Sequence, residues 1–247
     1  MAAIAAVLVV AVATTAYATG VVTQHIKANI SPSKAGTATK PKPVKLNLHL
    51  FVTTSDNSVP PPANHDIVFL PRGLVFQGSH FKSCTAATLN DPNQGPSKCP
   101  SGSKVGGGTA TAHIGGDPNG PNESLVVTVF NGPKGKSVLL HIHGTSPATI
   151  DGAFEGKLIP IKGSGPYGLK LDVKIPQNLY EPAPGVFTPL TDFNTNITGT
   201  TRVKGKQYGI TATTACPRGH KWQFKAIFNY ANSAPQDNAN TQVKCSS

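Results

Sequence analysis

The chain has 247 residues, among them 25 glycines and 22 prolines, with 13% charged residues and a net charge of +11. So many turn-forming residues predict many short strands joined by tight connections, and so little charge argues against a charged disordered tail. The basic residues are scattered and include only three arginines, the residue that binds phosphates and bases bidentately, so nucleic-acid binding is not predicted. A diffuse positive field instead favours loose attraction to anionic polymers or a cell surface.

The N-terminal segment has the pattern of an export signal. An apolar run is followed by Ala16-Tyr17-Ala18, the small-residue motif of a signal-peptide cleavage site, so we predict a signal peptide over residues 1–18. No lysine or arginine precedes the apolar run, and an uncleaved membrane anchor is the alternative because the first charged residue is Lys27. Both interpretations place the remainder outside the cytoplasm, secreted or at the cell surface, with membrane contact only for the uncleaved form.

Alternating apolar and polar residues predict the fold of the remainder. Residues 19–43 are polar and without periodicity, so we expect a flexible linker. Val44–Val52 and Trp222–Tyr230 have the period of two that is typical of half-buried strands. Between them, short apolar segments alternate with turn residues, and no stretch of ten residues has helical periodicity. We therefore predict one all-β domain over 44–247, an antiparallel β-sandwich of about ten short strands, jelly-roll-like or a partly open barrel.

The four cysteines, Cys84, Cys99, Cys216 and Cys245, predict two disulfides, since an even number in an exported chain is typical of oxidised pairs. Three pairings are possible, and the spacing alone does not decide among them. We predict the near-neighbour bridges Cys84–Cys99 and Cys216–Cys245, because each closes a compact segment dense in turn residues. Zinc is the alternative, but the closely spaced cysteine pairs of structural zinc sites are absent from the sequence.

The segment "CPSGSKVGGG", residues 99–108, resembles a phosphate-binding loop in composition only. Such a loop needs Lys followed by Ser or Thr and then a helix, whereas Lys104 is followed by Val105 and a strand-like segment. The Pro-x-Gly step after Cys99, Pro100 to Gly102, is typical of a tight turn at a disulfide. We therefore predict a stapled turn and no nucleotide site.

Two histidines on one predicted strand are the candidate metal ligands. His141 and His143 project from the same face, about 6 to 7 Å apart along the strand, and His113 is a candidate third ligand from a neighbouring strand. The alternative interpretation is an ordinary solvent face opposite Val138 and Leu140. A metal-dependent enzyme or metal-binding protein that uses this face is the second functional hypothesis.

Catalytic machinery of other kinds is not predicted. The chain lacks the G-x-S-x-G elbow of serine hydrolases, and its 11 acidic residues are spread thinly. Asp66, Asp172 and Asp192 are expected at strand ends, where they would cap turns. No catalytic residue and no cofactor are therefore assigned, and a non-catalytic role is favoured over an enzyme.

Carbohydrate is the candidate ligand of a binding role. Three tyrosines, Tyr167, Tyr180 and Tyr208, lie beside loops rich in glycine or proline and could supply aromatic platforms for sugars. The association of β-sandwiches with sugar binding is an analogy between folds. Trp222 is expected in the core, because its neighbours at two-residue spacing are also aromatic.

Two stretches, "LPRGLVFQGSHFKSCTAATLNDPNQGPSKCPSGSKVGGGTATA" (70–112) and "VFNGPKGKSVLLHIHG" (129–144), resemble secreted proteins of unknown function from high-GC Gram-positive bacteria. The resemblance implies a disulfide-bearing extracellular β-domain, and it supplies no characterised activity, ligand or catalytic residue. Together with the composition, it favours an exported, non-catalytic protein of the cell envelope or extracellular space. We expect a binding or structural role, directed at a polysaccharide or an anionic cell-wall polymer.

Overall fold

The structure, a computed structural model, describes residues 20–231 and 236–247. The predicted signal peptide lies outside these residues. Within them are fifteen strands and two short α-helices. The first eight strands are β1 (Val22–Ser31), β2 (Lys42–Thr54), β3 (Ala63–Pro71), β4 (Leu74–Phe76), β5 (Lys104–His113), β6 (Asn122–Asn131), β7 (Ser137–Gly144) and β8 (Ile150–Pro160). The others are β9 (Tyr167–Lys174), β10 (Leu190–Ile197), β11 (Thr200–Val203), β12 (Lys206–Gly209), β13 (Thr211–Thr213), β14 (Lys221–Tyr230) and β15 (Asp237–Lys244), and the helices are α1 (Ala86–Asn90) and α2 (Gln177–Tyr180).

Thirteen of the strands form one sheet, and every strand pair is antiparallel. Its order is β15-β14-β3-β9-β8-β7-β6-β5-β10-β2-β13-β4, with β1 also paired to β2, and β11 and β12 form a separate hairpin. The sheet curls until β1 packs against β15, where Ala35 N donates to Ser246 O at 2.8 Å and Ser246 N to Ser33 O at 3.1 Å. The predicted antiparallel, sandwich-like all-β fold is confirmed.

The inner face of the curled sheet encloses the main hydrophobic core. The alternation in β14 buries Trp222, Phe224, Ala226 and Phe228 on this face. The indole Nε1–H of Trp222 donates to Ala215 O at 3.0 Å, so its one polar group is satisfied inside the core. Trp222 therefore lies in the core, as expected from the sequence.

Both predicted disulfides are present, Cys84–Cys99 and Cys216–Cys245, each spanning a short loop. The first bridge closes a loop that carries α1 and packs on the outer face of the sheet. A second, smaller core forms there, composed of Cys84, Leu89, Phe130, Leu139 and Ala153. The Asn90 side chain secures the loop, since it exchanges two hydrogen bonds with the backbone of Ala153, at 2.7 and 2.8 Å. Two disulfides indicate that the protein matures in an oxidising or extracellular environment.

The expected linker over residues 19–43 is wrong in its first part. Val22–Ser31 forms β1, which pairs with β2 along its whole length. Only two large aliphatic side chains of β1, Ile26 and Ile30, are buried in the core, so its apolar periodicity is weak. The partner strand, more than the composition of β1, accounts for its structure.

The glycine-rich segment after Cys99 begins β5, and no helix follows it, so the stapled-turn interpretation agrees with the structure. Gly106 and Gly108 lie where a Cβ atom would collide with the carbonyls of Asn196 and Asn194 in β10. These glycines allow two backbones to approach closely, which explains their presence without a phosphate.

The expectation that three aspartates cap turns at strand ends is wrong. Asp66, Asp172 and Asp192 each lie within a strand, β3, β9 and β10 respectively. Asp172 and Asp192 pair with histidines on adjacent strands, His65 at 3.0 Å and His49 at 2.6 Å. Asp66 points inward, on the same face as the core residues Val68 and Leu70. Among the described residues, no helix is long and apolar enough to cross a membrane.

Candidate functional site

The two histidines predicted as metal ligands lie together on the outer face of β7. Their rings are stacked with centroids 6.4 Å apart, as the strand spacing predicts. Asp151, opposite His143 in β8, lies between them: its Oδ1 is 3.2 Å from His143 Nδ1 and 3.0 Å from His141 Nε2. The nitrogen of His141 is close enough for an ion pair, but its geometry does not satisfy the angles of a hydrogen bond. The result is one carboxylate shared by two imidazoles.

Burial lowers the pKa of His141, and nearby His143 acts in the same direction, whereas Asp151 opposes the shift. His141 is therefore favoured in its neutral form, in which one ring nitrogen is free to accept. This state is compatible with ligation or with a structural contact. The pair alone supplies too few ligands for a closed site.

His113, the predicted third ligand, is engaged elsewhere. In β5 its Nε2 donates to the carbonyl oxygen of Asp117 at 2.7 Å, and its Nδ1 lies 3.1 Å from Oδ1 of Asn122. With both nitrogens occupied, the ring has no lone pair directed at a metal. Within residues 20–231 and 236–247, no three His, Cys, Asp or Glu side chains form a group suited to a metal ion. The predicted trio of His141, His143 and His113 is thus not brought together.

The three predicted sugar-binding tyrosines lie on different elements. Tyr180 ends α2, and Tyr208 in β12 stacks on His80 with ring centroids 3.7 Å apart. Tyr167 begins β9 and packs against Phe69 of β3, with centroids 5.5 Å apart. Partial burial raises the pKa of Tyr167, so its hydroxyl stays protonated at neutral pH. The structure therefore offers one aromatic pair, Phe69 and Tyr167, in place of a platform of three tyrosines.

The Phe69–Tyr167 pair lies within a strongly basic part of the outer surface. Phe69 is flanked in register by Lys225 of β14 on one side and by Lys170 of β9 on the other. Arg72 follows β3 and donates to the carbonyls of Gly165 and Tyr167, both at 2.7 Å, which fixes the loop next to the tyrosine. Aromatic rings and cations thus alternate across three adjacent strands.

Lysines continue over the outer surface of this half of the sheet. We call this surface the basic face and define it by six lysines on β8, β9, β14 and β15, namely Lys157, Lys170, Lys174, Lys221, Lys225 and Lys244. Lys221 and Lys244 are exposed and directly opposite each other in the β14–β15 pair. Because adjacent strands lie about 4.8 Å apart, Lys225 and Lys170, two strands apart, project about 10 Å from each other.

Few acidic side chains neutralise the basic face. Asp172, its principal carboxylate, is shared by His65 at 3.0 Å and Lys170 at 3.4 Å. Burial pushes the pKa of Asp172 upward, but the hydrogen bonds and electrostatic interactions with His65 and Lys170 outweigh it and hold the pKa below its ordinary value. In the part of the chain that the structure describes, Lys170 is the one lysine or arginine in an ion pair. The other five lysines of the basic face are not in an ion pair with a described residue.

Sequence reasoning did not identify the basic face. Its lysines are separated by up to 87 positions, and they meet because β3 lies between β14 and β9 in the sheet. That order is set by long-range pairing, and no local pattern carries it. The alternation within each strand does reveal that Lys170, Lys221 and Lys225 point outward.

Comparison of the chain with known protein families, with curated proteins and with solved structures gave no match.

Proposed function

We propose that the chain is an exported, non-catalytic binding protein of the cell envelope or extracellular space, whose basic face holds an anionic polymer of the cell wall. The observation that carries the proposal is the position of the Phe69–Tyr167 pair between Lys225 and Lys170, on a surface where only Lys170 of the six described lysines is in an ion pair. Export follows from the predicted signal peptide, and the two disulfides are consistent with it.

The chemistry of the face suits a polymer with repeated negative charges along sugar or polyol units. Lysine ammonium groups attract phosphate or carboxylate groups without demanding a fixed angle. Aromatic rings such as Phe69 and Tyr167 can stack on the apolar faces of sugar rings. The exposed pair Lys221 and Lys244 adds to this field, because an anion between two facing cations relieves their repulsion.

The test is retention of the purified protein on a wall teichoic acid and on neutral dextran, at about 0.1 M and about 1 M salt. Between these concentrations the screening length falls from about 10 to about 3 Å, so binding to teichoic acid is expected to weaken strongly. A variant with Lys221→Glu and Lys225→Glu is expected to lose most retention at low salt. The matched control, Lys82→Glu with Lys98→Glu, changes the net charge equally but lies outside the basic face. Retention that ignores salt, or equal losses in both variants, would contradict the proposal.

Aromatic stacking is tested separately with Tyr167→Ala. We expect this variant to bind the polymer more weakly while the salt dependence stays unchanged, because the charges remain. Tyr208→Ala is the control, since Tyr208 stacks on His80 and not on Phe69. A loss caused by Tyr208→Ala alone would place the sugar contact elsewhere.

The alternative from the sequence, a metal-dependent function at His141 and His143, has narrower support. It depends on their shared contact with Asp151 on the outer face. Equilibrium dialysis against zinc tests it: uptake of about one equivalent that His141→Ala abolishes would favour a metal site. No uptake would leave the three side chains as a structural contact.

A further inference from the structure

Asp66 is an acidic residue on the inner, apolar face of its strand. It lies in the middle of β3 and points into the core, between Val173 of β9 and Phe228 of β14 in register. Part of the residue reaches solvent, but its Oδ1 atom is fully buried and has no hydrogen-bond partner. Burying a polar atom without a hydrogen bond lowers the stability of the folded state, so a hydrogen-bond donor placed next to Asp66 Oδ1 would be stabilising.

A cavity lies in front of this carboxylate. Its volume is about 80 Å³, well above the roughly 10–15 Å³ that one water molecule requires. Aliphatic and aromatic side chains form nearly all of its lining, and the polar exceptions are Gln24, Asp66, Asp192 and Thr195. A second cavity of about 40 Å³ under α2 shares Ala63 and Phe154 with the first. The interior of the sheet thus contains unfilled volume larger than a single water molecule requires.

Two of the other polar residues at the cavity, Gln24 and Asp192, already make polar contacts. Gln24 Nε2 donates to the Tyr230 hydroxyl at 2.7 Å, and Gln24 N donates to Asp237 Oδ2 at 2.7 Å. Asp192, at the partly exposed rim, is paired with His49. Of the two carboxylates at the cavity, Asp66 is therefore the one with an unpaired oxygen that can select a ligand.

We propose that this cavity is a binding site for a small molecule with an apolar body and one amino group, whose ammonium nitrogen pairs with the Asp66 carboxylate. The apolar lining would bury the body of the ligand, and the charge-assisted hydrogen bond would satisfy Oδ1. This site is distinct from the basic face, because Asp66 and Phe69 project from opposite faces of β3. None of the described residues that line the cavity is a lysine or an arginine, which an anionic ligand would favour.

Titration of Asp66 gives a second readout of the same contact. Burial raises the pKa of Asp66 to about 7, and the neighbouring charged or titratable groups are Tyr230, Asp237 and Asp192. An ammonium group favours the ionised carboxylate, so binding releases one proton from Asp66 to solvent when the acid is initially protonated. Affinity for an amine is therefore expected to be weaker at about pH 5 than at about pH 8.

The experiment is a titration of the full-length protein with benzylamine, followed by the methyl NMR signals of Val68 and Val173, which line the cavity. We expect saturable shifts, and an affinity at least about tenfold weaker in Asp66→Asn, which retains the side-chain volume but not the charge. Toluene, which lacks the amino group, is expected to bind the wild type and Asp66→Asn alike. The weakening at low pH is expected to disappear in Asp66→Asn.

The matched control is Asp192→Asn, which removes a carboxylate from the rim of the same cavity. It is expected to change benzylamine affinity by no more than about twofold, because Asp192 is already paired with His49. No benzylamine binding by the wild type would overturn the proposal. Equal affinity of the wild type and Asp66→Asn, or an equal loss in Asp192→Asn, would also overturn it.

Discussion

Lys221 and Lys244 occupy directly opposing positions of the β14–β15 pair, and both side chains are exposed. Like charges in such positions repel each other and weaken the pairing of the two strands. The Cys216–Cys245 disulfide lies next to this pair and ties the end of β15 to the segment before β14. The structure therefore maintains a local concentration of positive charge that pairing alone would disfavour.

Reversing the charge of Lys221 is expected to change the stability of the fold and the affinity for the polymer in opposite directions. We expect Lys221→Glu to raise the free energy of unfolding by roughly 0.5 kcal/mol, because it replaces a repulsive pair by an attractive one. The same change is expected to weaken binding to teichoic acid several-fold. Urea denaturation and polymer titration measure the two effects. Lys98→Glu is the control, and a Lys221→Glu protein that is less stable yet binds normally would refute this account of the pair.

The two disulfides are expected to stabilise different parts of the protein. Their loops span 15 and 29 positions, for which chain entropy gives about 3 and about 3.5 kcal/mol. Cys84→Ser with Cys99→Ser is expected to loosen the outer cluster around Leu89 and Leu139 while the inner core stays folded. Hydrogen exchange of β7 and β14 distinguishes the outcomes. Equal loss of protection in both strands would show that the outer cluster is not a separate unit.

Asp66 is expected to make stability fall as pH rises. Burial raises its pKa from 3.8 to about 7, so between these values the folded chain retains a proton that the unfolded chain has released. The contribution of Asp66 to the free energy of unfolding is then greatest near pH 3.8 and declines as the pH rises toward about 7. His141, whose pKa is lowered by burial, gives the opposite trend, a loss of stability as pH falls below 6.5.

The variant Asp66→Asn isolates the first of these effects. We expect it to gain more stability over the wild type at about pH 8 than at about pH 4, because the amide never carries a charge. Urea denaturation at the two pH values measures the difference. A gain that is independent of pH would mean that Asp66 is solvated and titrates normally in the folded protein.

Glu123 fixes the loop between β7 and β8. It is fully buried, and its two carboxylate oxygens accept hydrogen bonds from Ser146 N at 3.0 Å and Ala148 N at 2.9 Å. We expect Glu123→Leu to lower the free energy of unfolding by about 3 kcal/mol, because both amides lose their acceptor. Glu123→Gln, which retains one acceptor oxygen, is expected to cost about 1 kcal/mol. Rapid amide exchange at Ser146 in the leucine variant alone would confirm the contact, whereas unchanged exchange would exclude it.

Local patterns predict much of this fold but little of its candidate site. The period of two in Val44–Val52 and Trp222–Tyr230 identifies strands and their buried faces, and the turn residues between the cysteines indicate local bridges. The same period, applied to Asp66, Val68 and Leu70, would have placed Asp66 inside the sheet. β1 was not predicted, because its apolar pattern is weak. Its strand structure depends on pairing with β2, which the sequence does not reveal locally.

Strand order is the information that the sequence does not carry locally. The basic face exists because β3, distant in sequence, separates β14 from β9 and so places Phe69 between Lys225 and Lys170. Likewise, Asp151 joins His141 and His143 through the register of β7 and β8, while the register of β5 directs His113 to Asn122. Long-range register, more than residue type, decides which chemical groups meet.

The most direct test of the polymer-binding face is lysine acetylation measured by mass spectrometry, with and without teichoic acid at low salt. If the basic face holds the polymer, we expect slower acetylation of Lys170, Lys221, Lys225 and Lys244 in its presence. Lys82 and Lys98, outside the basic face, should react at unchanged rates. Uniform protection of all six lysines, or protection confined to Lys82 and Lys98, would contradict the account.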